Sequence, residues 1–359
     1  GGGSEVNSGL YFKLTEPYKS IFLEKANITV DEWNYVEKKV EKMLSVQHAP
    51  PGSFDNLESA LIDGSNNFDL ICEEIPRWRE YNPAEEHKSM QASYLKLAEK
   101  DGLSVITQTE VMKIKPEREF INILAKKDNK VLNFRSKKIV LSAGTIGTPK
   151  ILKNSGLISN SINFNFHPMT RCVVDYGKKI NHGDLFPPYQ AWTKDYKFKF
   201  GYSVSTYPFV KATLASLGKY EEIPEPSRLV SYFSSTVLDN SYGRLFSFRG
   251  KLVPFTYISR KDKRKIKEGF EILKKLLRST SVKKVWPHKG LSPMTTVHIF
   301  GSLPIGKNKN LGANGELLKD SRIKISDASI LPTAPWGNPQ AVMMVLNEIL
   351  IDRWIKQIK

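Results

Sequence analysis

The chain has 359 residues, of which 40% are apolar and 25% are charged. That apolar content excludes a disordered chain, which would bury too little surface to offset its conformational entropy. The 54 basic and 37 acidic residues leave a net charge of +17. Because the basic residues are spread along the chain, a basic nucleic-acid-binding protein is only an unfavoured alternative, and no nucleic-acid partner is predicted.

The number of cysteines and the spacing of the histidines indicate the cellular compartment and whether a metal site is expected. Two cysteines, Cys72 and Cys172, are too few for a disulfide framework or a four-ligand zinc site. The histidines show no ligand spacing, so no metal is predicted. The sequence contains no run of about 18 apolar residues, so no transmembrane segment is predicted. We therefore predict a cytoplasmic protein with free thiols, with a single disulfide between the two cysteines as the alternative.

The first half of the chain predicts two helices followed by a series of strands. The helices are expected at 31–46 and 84–100, and the strands at 103–107, 110–115, 120–126, 130–135 and 138–142. The last strand ends in Ala143-Gly144, and a helix follows that begins at Thr148-Pro149. A buried strand followed by such a turn is typical of a ligand site at the carboxyl end of a parallel sheet.

The second half of the chain has a different texture. Residues 160–258 alternate aromatic and polar side chains, which predicts an antiparallel sheet. A basic amphipathic helix is expected at about 262–278, and its charged face is typical of a solvated helix surface. The tail returns to α/β character, with a strand at 322–325 and a helix at 340–356.

Three separated segments have distinctive residue patterns. They are Gly1-Gly2-Gly3-Ser4-Glu5-Val6-Asn7-Ser8-Gly9, then Ser142 to Leu157, then His298-Ile299-Phe300-Gly301-Ser302 with Asp327-Ala328-Ser329-Ile330-Leu331-Pro332 and Gly337-Asn338-Pro339. In this order, the segments resemble motifs of the glucose–methanol–choline (GMC) family of FAD-dependent oxidoreductases. The third segment is the most specific of the three. The second departs from the family at Ile158, where glycine is usual, and the opening Gly-Gly-Gly-Ser is also a common linker sequence.

The resemblance implies an α/β fold with two parts. A Rossmann-like FAD-binding domain is expected from 1–30, 84–158 and 296–359, and an α+β substrate domain with an antiparallel sheet from 31–83 and 159–295. The family's opening G-x-G-x-x-G turn, whose backbone N–H groups hold the FAD pyrophosphate, does not occur here. We therefore expect the FAD-binding domain to be incomplete, the chain beginning downstream of that segment. A non-catalytic remnant that cannot hold FAD alone is the alternative.

The resemblance also implies a reaction, the oxidation of an alcohol CH–OH group to a carbonyl with hydride passing to FAD. His298 is expected to be the base, because neutral imidazole suits that task near pH 7. A core histidine held by backbone groups is the alternative. Asn338 is expected to orient the substrate oxygen, since an amide both donates and accepts hydrogen bonds. The expected partners are a small alcohol and an electron acceptor of unknown identity.

The FAD contacts implied by the family come from both ends of the chain. They are Gly2, Gly3, Ser4, Asn7, Val111, Ala143, Gly144, Asp327, Ala328 and Pro339. Glycine permits close approach because it has no Cβ. The alternatives are structural, namely a flexible terminus for Gly2 and Gly3, a core side chain for Val111 and a turn cap for Asp327. His167 is expected to be structural.

Overall fold

The computed structural model describes residues 2–50, 56–78, 81, 89–158, 162–180, 188–203, 207–218, 225–248 and 251–358. Across these ranges, no helix has the length and apolar character needed to cross a membrane. Nor do these ranges bring together three His, Cys, Asp or Glu side chains in a group that could hold a metal ion.

Among the described residues, four helices come first, four consecutive strands precede the helix Gly144–Asn154, and the part after about residue 160 is strand-rich. The helices are α1 Gly3–Val6, α2 Tyr18–Ala26, α3 Val30–Leu44, α4 Asn56–Asn67, α5 Lys96–Lys100, α6 Gly144–Asn154, α7 Tyr207–Ser216, α8 Arg260–Arg278 and α9 Pro339–Gln357, with a π-helical turn at Gln91–Leu95 and 3-10 turns at Pro226–Arg228 and Ala328–Ile330. The strands are β1 Ile71–Glu74, β2 Glu110–Pro116, β3 Ile121–Lys127, β4 Lys130–Ser136, β5 Ile139–Leu141, β6 Ile162–Phe166, β7 Met169–Asp175, β8 Tyr189–Trp192, β9 Lys199–Ser203, β10 Leu229–Ser235, β11 Tyr242–Phe248, β12 Lys251–Tyr257, β13 Lys284–Trp286, β14 Ile299–Phe300, β15 Glu316–Leu317 and β16 Asp320–Ile325.

The described strands form four sheets, and most of the pairing is antiparallel. The largest has the order β1-β8-β9-β10-β7-β13, and a second has the order β12-β11-β6-β14. A third, β15-β16-β5, contains the parallel pair β16–β5, which joins the tail to the strand before α6. The meander β2-β3-β4 is the fourth. The predicted mixed α/β fold with an antiparallel sheet is confirmed.

The largest core joins the two ends of the chain. Helix α3 buries Trp33, Val36, Val40 and Leu44 in one cluster with β5, β16 and α9. Its N-cap is Thr29, whose hydroxyl accepts the Glu32 N–H at 3.2 Å, so the helix begins one residue before the predicted start at 31. This helix lies in the range assigned above to the substrate domain, and the division into domains stays a prediction.

A second core lies between the six-stranded sheet and α8. Phe198 and Phe200 project from β9 onto Phe270, Leu273 and their neighbours on α8. The helix is amphipathic because its apolar residues recur at helical spacing while lysines and arginines occupy the other face. The predicted basic helix is therefore confirmed, with its apolar stripe on the sheet.

Between residues 84 and 135, some of the predicted secondary structure is confirmed and one predicted strand is wrong. The strands predicted at 120–126 and 130–135 are confirmed as β3 and β4, which form a hairpin that turns at Asp128 and Asn129, both with positive φ. The strand predicted at 103–107 is wrong, because this exposed stretch has β-forming side chains but pairs with no strand among the described residues. Of the helix predicted at 84–100, residues 84–88 lie outside the described residues, and 91–100 is helical.

One buried carboxylate organises the start of α8. Asp262 is fully buried, and its Oδ1 accepts the Asp239 N–H at 3.2 Å. Its Oδ2 accepts the Asn240 N–H at 3.0 Å and the hydroxyls of Ser241 and Ser259 at 2.5 and 3.0 Å. These hydrogen bonds hold its pKa below the usual value against the opposing effect of burial.

We expect Asp262→Ala to lower the free energy of unfolding by about 2–4 kcal/mol, because four donors lose the buried carboxylate that accepts from them. Denaturant unfolding followed by circular dichroism measures this loss. The matched control is Asp239→Ala, whose half-exposed carboxylate faces Lys261 and Lys265. That change should cost less than about 1 kcal/mol. Equal losses in the two variants would contradict the assignment.

Candidate active site

A short antiparallel pairing places two histidines opposite each other. Strand β14 pairs with β6 through Ile299 and Phe166, so the neighbouring residues His298 and His167 lie across from one another. The His167 N–H donates to the His298 carbonyl at 3.2 Å. The two imidazole rings meet edge to face, with centroids 5.4 Å apart.

The hydrogen bonds of this pair fix which nitrogen of His298 carries a proton. His167 Nε2 lies 2.9 Å from the Pro335 carbonyl oxygen, which can only accept, so Nε2 must be protonated. Burial keeps the pKa of His167 well below its usual value, so the ring is neutral and its Nδ1 is an acceptor. His298 Nδ1, 3.3 Å from that acceptor, is therefore the donor. A neutral His298 then has an unprotonated Nε2.

His298 is neutral because its surroundings disfavour charge. Burial, with the nearby positive charges of Lys199 and Arg171 in addition, lowers the pKa of His298 to about 3. The residue thus holds the protonation state that a base needs at neutral pH.

Lys199 reaches this site from the six-stranded sheet. On β9 it alternates with Phe198 and Phe200, which point into the core against α8, so Lys199 projects from the opposite face. In the ladder, Lys199 pairs with Ser235, and Ser235 pairs in turn with Met169, two residues after His167. This row across the sheet brings a lysine of the middle segment close to the histidine pair.

Lys199 also connects the histidines to the second predicted catalytic residue. Its Nζ lies 3.4 Å from Asn338 Oδ1 and 4.8 Å from the centroid of the Phe12 ring. Asn338 is the N-cap of α9 but makes no side-chain capping bond there. Lys199 thus stands between His298, whose pKa it lowers, and Asn338, whose amide oxygen it contacts. The two predicted catalytic residues therefore flank one lysine.

Asp327 ties the start of α6 to the tail. Its Oδ2 accepts the Gly144 N–H at 2.9 Å and the Thr148 hydroxyl at 2.5 Å. Its Oδ1 accepts the Ser329 N–H at 2.8 Å and so caps the 3-10 turn. The carboxylate is thus engaged by the protein, and the predicted FAD contact of Asp327 stays a prediction.

The other predicted cofactor residues lie in three places. Ser4 and Asn7 lie at or beside α1, where the Ser4 hydroxyl accepts the Met90 N–H and Asn7 Oδ1 accepts the Gly9 N–H. Val111 packs partly buried against the main core from β2. Ala143 caps α6, the Ala328 carbonyl accepts the Gly301 N–H, and Pro339 begins α9. No described contact joins Ser4 or Asn7 to His298.

The backbone beside these residues has room for a ligand. A Cβ added to Gly2, Gly3 or Gly144 would meet no atom within 4 Å, and Gly144 has a φ of 80° at the start of α6. Bare backbone next to open space suits the close approach of a flat ring system. The Gly144 N–H at the start of α6 already donates to the Asp327 carboxylate, so it is not free for a phosphate. The glycines therefore fit the flavin ring of FAD.

Three members of the site escaped the sequence motifs. Lys199 looked like an ordinary strand residue, His167 was expected to be structural, and Phe12 carried no signal at all. The Phe-Lys-Phe alternation at 198–200 did place a lysine on the face opposite two core aromatics. That pattern was the one signal available for Lys199.

Solved structures share this fold. Pyridoxine 4-oxidase from Mesorbium loti superposes with a TM-score of 0.78 at 14% identity, covering 99% of this chain and 84% of that one. Formate oxidase from Aspergillus oryzae RIB40 gives a TM-score of 0.77 at 13% identity, covering 99% and 83%. At these identities the likeness shows the fold alone. No curated protein matches the chain by sequence.

Fold and motifs together are similar to those of flavin-dependent oxidoreductases that act on alcohol- or aldehyde-type substrates. Residues 1–169 match the family described as GMC oxidoreductase. This match and the shared fold confirm the resemblance carried by the three segments. FAD is the cofactor that the match indicates, as the motifs implied.

The hydrogen-bond chain predicts the tautomer of His298. In ¹⁵N–¹H spectra of histidine-labelled protein, we expect His298 to be neutral from pH 8 to pH 5 with its proton on Nδ1. His167→Ala removes the acceptor, so the proton should redistribute towards Nε2. His288→Ala, which changes a histidine outside this hydrogen-bond chain, should leave the His298 signals in place. An Nε2 proton on His298 in the unaltered protein would contradict the chain.

Proposed function

We propose that this protein oxidises an alcohol CH–OH group to a carbonyl, with His298 taking the hydroxyl proton and Asn338 orienting the oxygen. The observation that carries the proposal is the hydrogen-bond chain from Pro335 through His167 to His298. It leaves an unprotonated nitrogen on His298, close to a lysine that contacts Asn338.

Bound FAD supplies the acceptor for the hydride that leaves the alcohol carbon. The residues that would hold it are Gly2 and Gly3 beside the ring system and Gly144 at the N-terminus of α6, where the open space lies. The Asp327 carboxylate fixes the Gly144 N–H and with it the start of that helix.

A side chain of the protein can accept the proton that the alcohol releases. Alcohol oxidation releases one hydride from carbon and one proton from oxygen, and His298 Nε2 has the lone pair to accept the proton. His167 acts through His298 as a positioning residue, because it determines which nitrogen is free. The positive charge that forms on His298 is disfavoured by Lys199, so a neutral or anion-paired Lys199 favours the transfer.

Asn338 is suited to orientation and not to proton transfer. An amide does not titrate, and its NH₂ group remains available to donate when its oxygen accepts from Lys199. A donor directed at the substrate oxygen keeps the hydroxyl near the imidazole. Positioning of this kind supplies part of the rate acceleration in enzymes.

Turnover tests the assignment of His298. In FAD-loaded protein assayed with a panel of small primary and secondary alcohols and a dye acceptor, we expect His298→Ala to reduce turnover by roughly 10²–10⁴-fold. Flavin absorbance should show FAD still bound, because the change removes a base and not a cofactor contact.

The matched control is His288→Ala, which should retain the turnover of the unaltered protein. Unchanged turnover in His298→Ala would remove His298 from the mechanism. A protein that shows no flavin absorbance at any added FAD concentration would instead favour a non-catalytic remnant of the family.

A further inference from the structure

Lys199 is a buried lysine that has no anionic side chain beside it in the part of the chain that the structure describes. The residue is 4% exposed, and its hydrogen bond there goes to the Asn338 amide oxygen and not to an Asp or Glu carboxylate. Burial alone lowers its pKa to about 7, with no acidic neighbour to oppose the shift. Burying an unpaired charge is costly, so such a lysine points to a missing negative partner.

The surroundings of Lys199 also have more donors than acceptors. Trp192, its neighbour on β8, and Trp336 lie in one aromatic cluster with Phe12. Both indole N–H groups are buried and have no hydrogen-bond partner among the described residues. Unsatisfied buried donors of this kind are uncommon in folded proteins. A cation and two spare donors around Phe12 favour a ligand that accepts hydrogen bonds.

We propose that this site recognises an anionic substrate, a 2-hydroxy acid whose carboxylate pairs with Lys199 while its hydroxyl lies between His298 and Asn338. The inference rests on the proposed oxidation and adds to it the chemical class of the substrate. The reaction is unchanged in kind, because the carbon that bears the hydroxyl loses hydride, the oxygen loses its proton to His298, and a 2-oxo acid results.

The spacing of the polar groups selects a short substrate. Lys199 Nζ and Asn338 Oδ1 are 3.4 Å apart, so the two groups that they bind must themselves be neighbours. A hydroxyl and a carboxylate on adjacent carbons meet that condition, whereas a longer hydroxy acid would separate them. The N-terminus of α9, which begins beside Asn338, adds a favourable field for negative charge.

Among the described residues, the charged and titratable groups near Lys199 are basic or neutral. His298 and His167 lie on the β14 and β6 side, and Asn338 lies at the start of α9. Arg171 of β7 lies close enough to His298 to lower its pKa. Both histidines are neutral at neutral pH because burial lowers their pKa values. Lys199 is thus the group whose charge changes near pH 7, and a bound anion would favour its protonated form.

Calorimetric titration with three small ligands of similar size tests the charge preference directly. Glycolate, ethylene glycol and ethanolamine each contain a hydroxymethyl group, and they carry negative, zero and positive charge. We expect the unaltered chain, with and without added FAD, to bind glycolate about 10–100-fold more tightly than ethylene glycol near pH 6. The preference should fade towards pH 9 as Lys199 loses its proton. Ethanolamine should bind weakest.

Two lysine variants test whether the preference for glycolate depends on Lys199. Lys199→Met keeps the length of the side chain and removes a buried charge, so the protein should fold, and it should bind glycolate no better than ethylene glycol. Lys194→Met, which removes an exposed lysine paired with Asp69, should keep the preference of the unaltered chain. The comparison of the three ligands in unaltered protein stands even if a variant fails to fold.

The outcomes separate this inference from the proposed oxidation. The anionic substrate is overturned if the unaltered chain shows no preference for glycolate, or if folded Lys199→Met keeps that preference. In either case, His298-dependent oxidation of neutral alcohols would still support the proposed function. A Lys199-dependent preference without turnover of glycolate in FAD-loaded protein would support anion recognition and contradict the oxidation.

Discussion

The two-residue pairing between β6 and β14 is the constraint on which the candidate site depends. Phe166 pairs with Ile299 and Asn165 with Phe300, which joins the start of the sheet region to the tail. The flanking contacts between Met169 and Thr295 extend the junction on one side. Without this pairing, His167 and His298 would belong to unrelated parts of the molecule. The tautomer of His298 is therefore set by tertiary structure.

The electrostatics of the site are set by several basic side chains that are buried close together. Two neutral histidines, a lysine and an arginine lie close together, and each positive charge lowers the pKa of His298. A histidine with a pKa near 3 is a weak base. A carboxylate bound at Lys199 would cancel one of those charges and raise the basicity of His298, so recognition of the substrate and activation of the base would be coupled.

The sequence predicted those parts of the site that lie in local motifs and missed those that depend on which surfaces meet. His298, Asn338 and Gly144 were found because each lies in a short segment with a distinctive residue pattern. Lys199 was missed because a lysine between two phenylalanines on a strand is typical of any half-exposed sheet. That its face is covered by Phe12 and α9 follows from contacts more than a hundred residues apart. The strand expected at 103–107 failed for the same reason, since side-chain propensity cannot supply a partner strand.

The buried ammonium of Lys199 has a consequence for heat resistance. The folded protein disfavours its charge, whereas the unfolded chain hydrates it freely, so the residue destabilises the fold most below pH 7 and progressively less as the solution becomes alkaline. Selection for thermal stability alone would replace it with an apolar side chain of similar length. The fold therefore tolerates, at this one position, a side chain that lowers its heat resistance most in neutral and acidic solution.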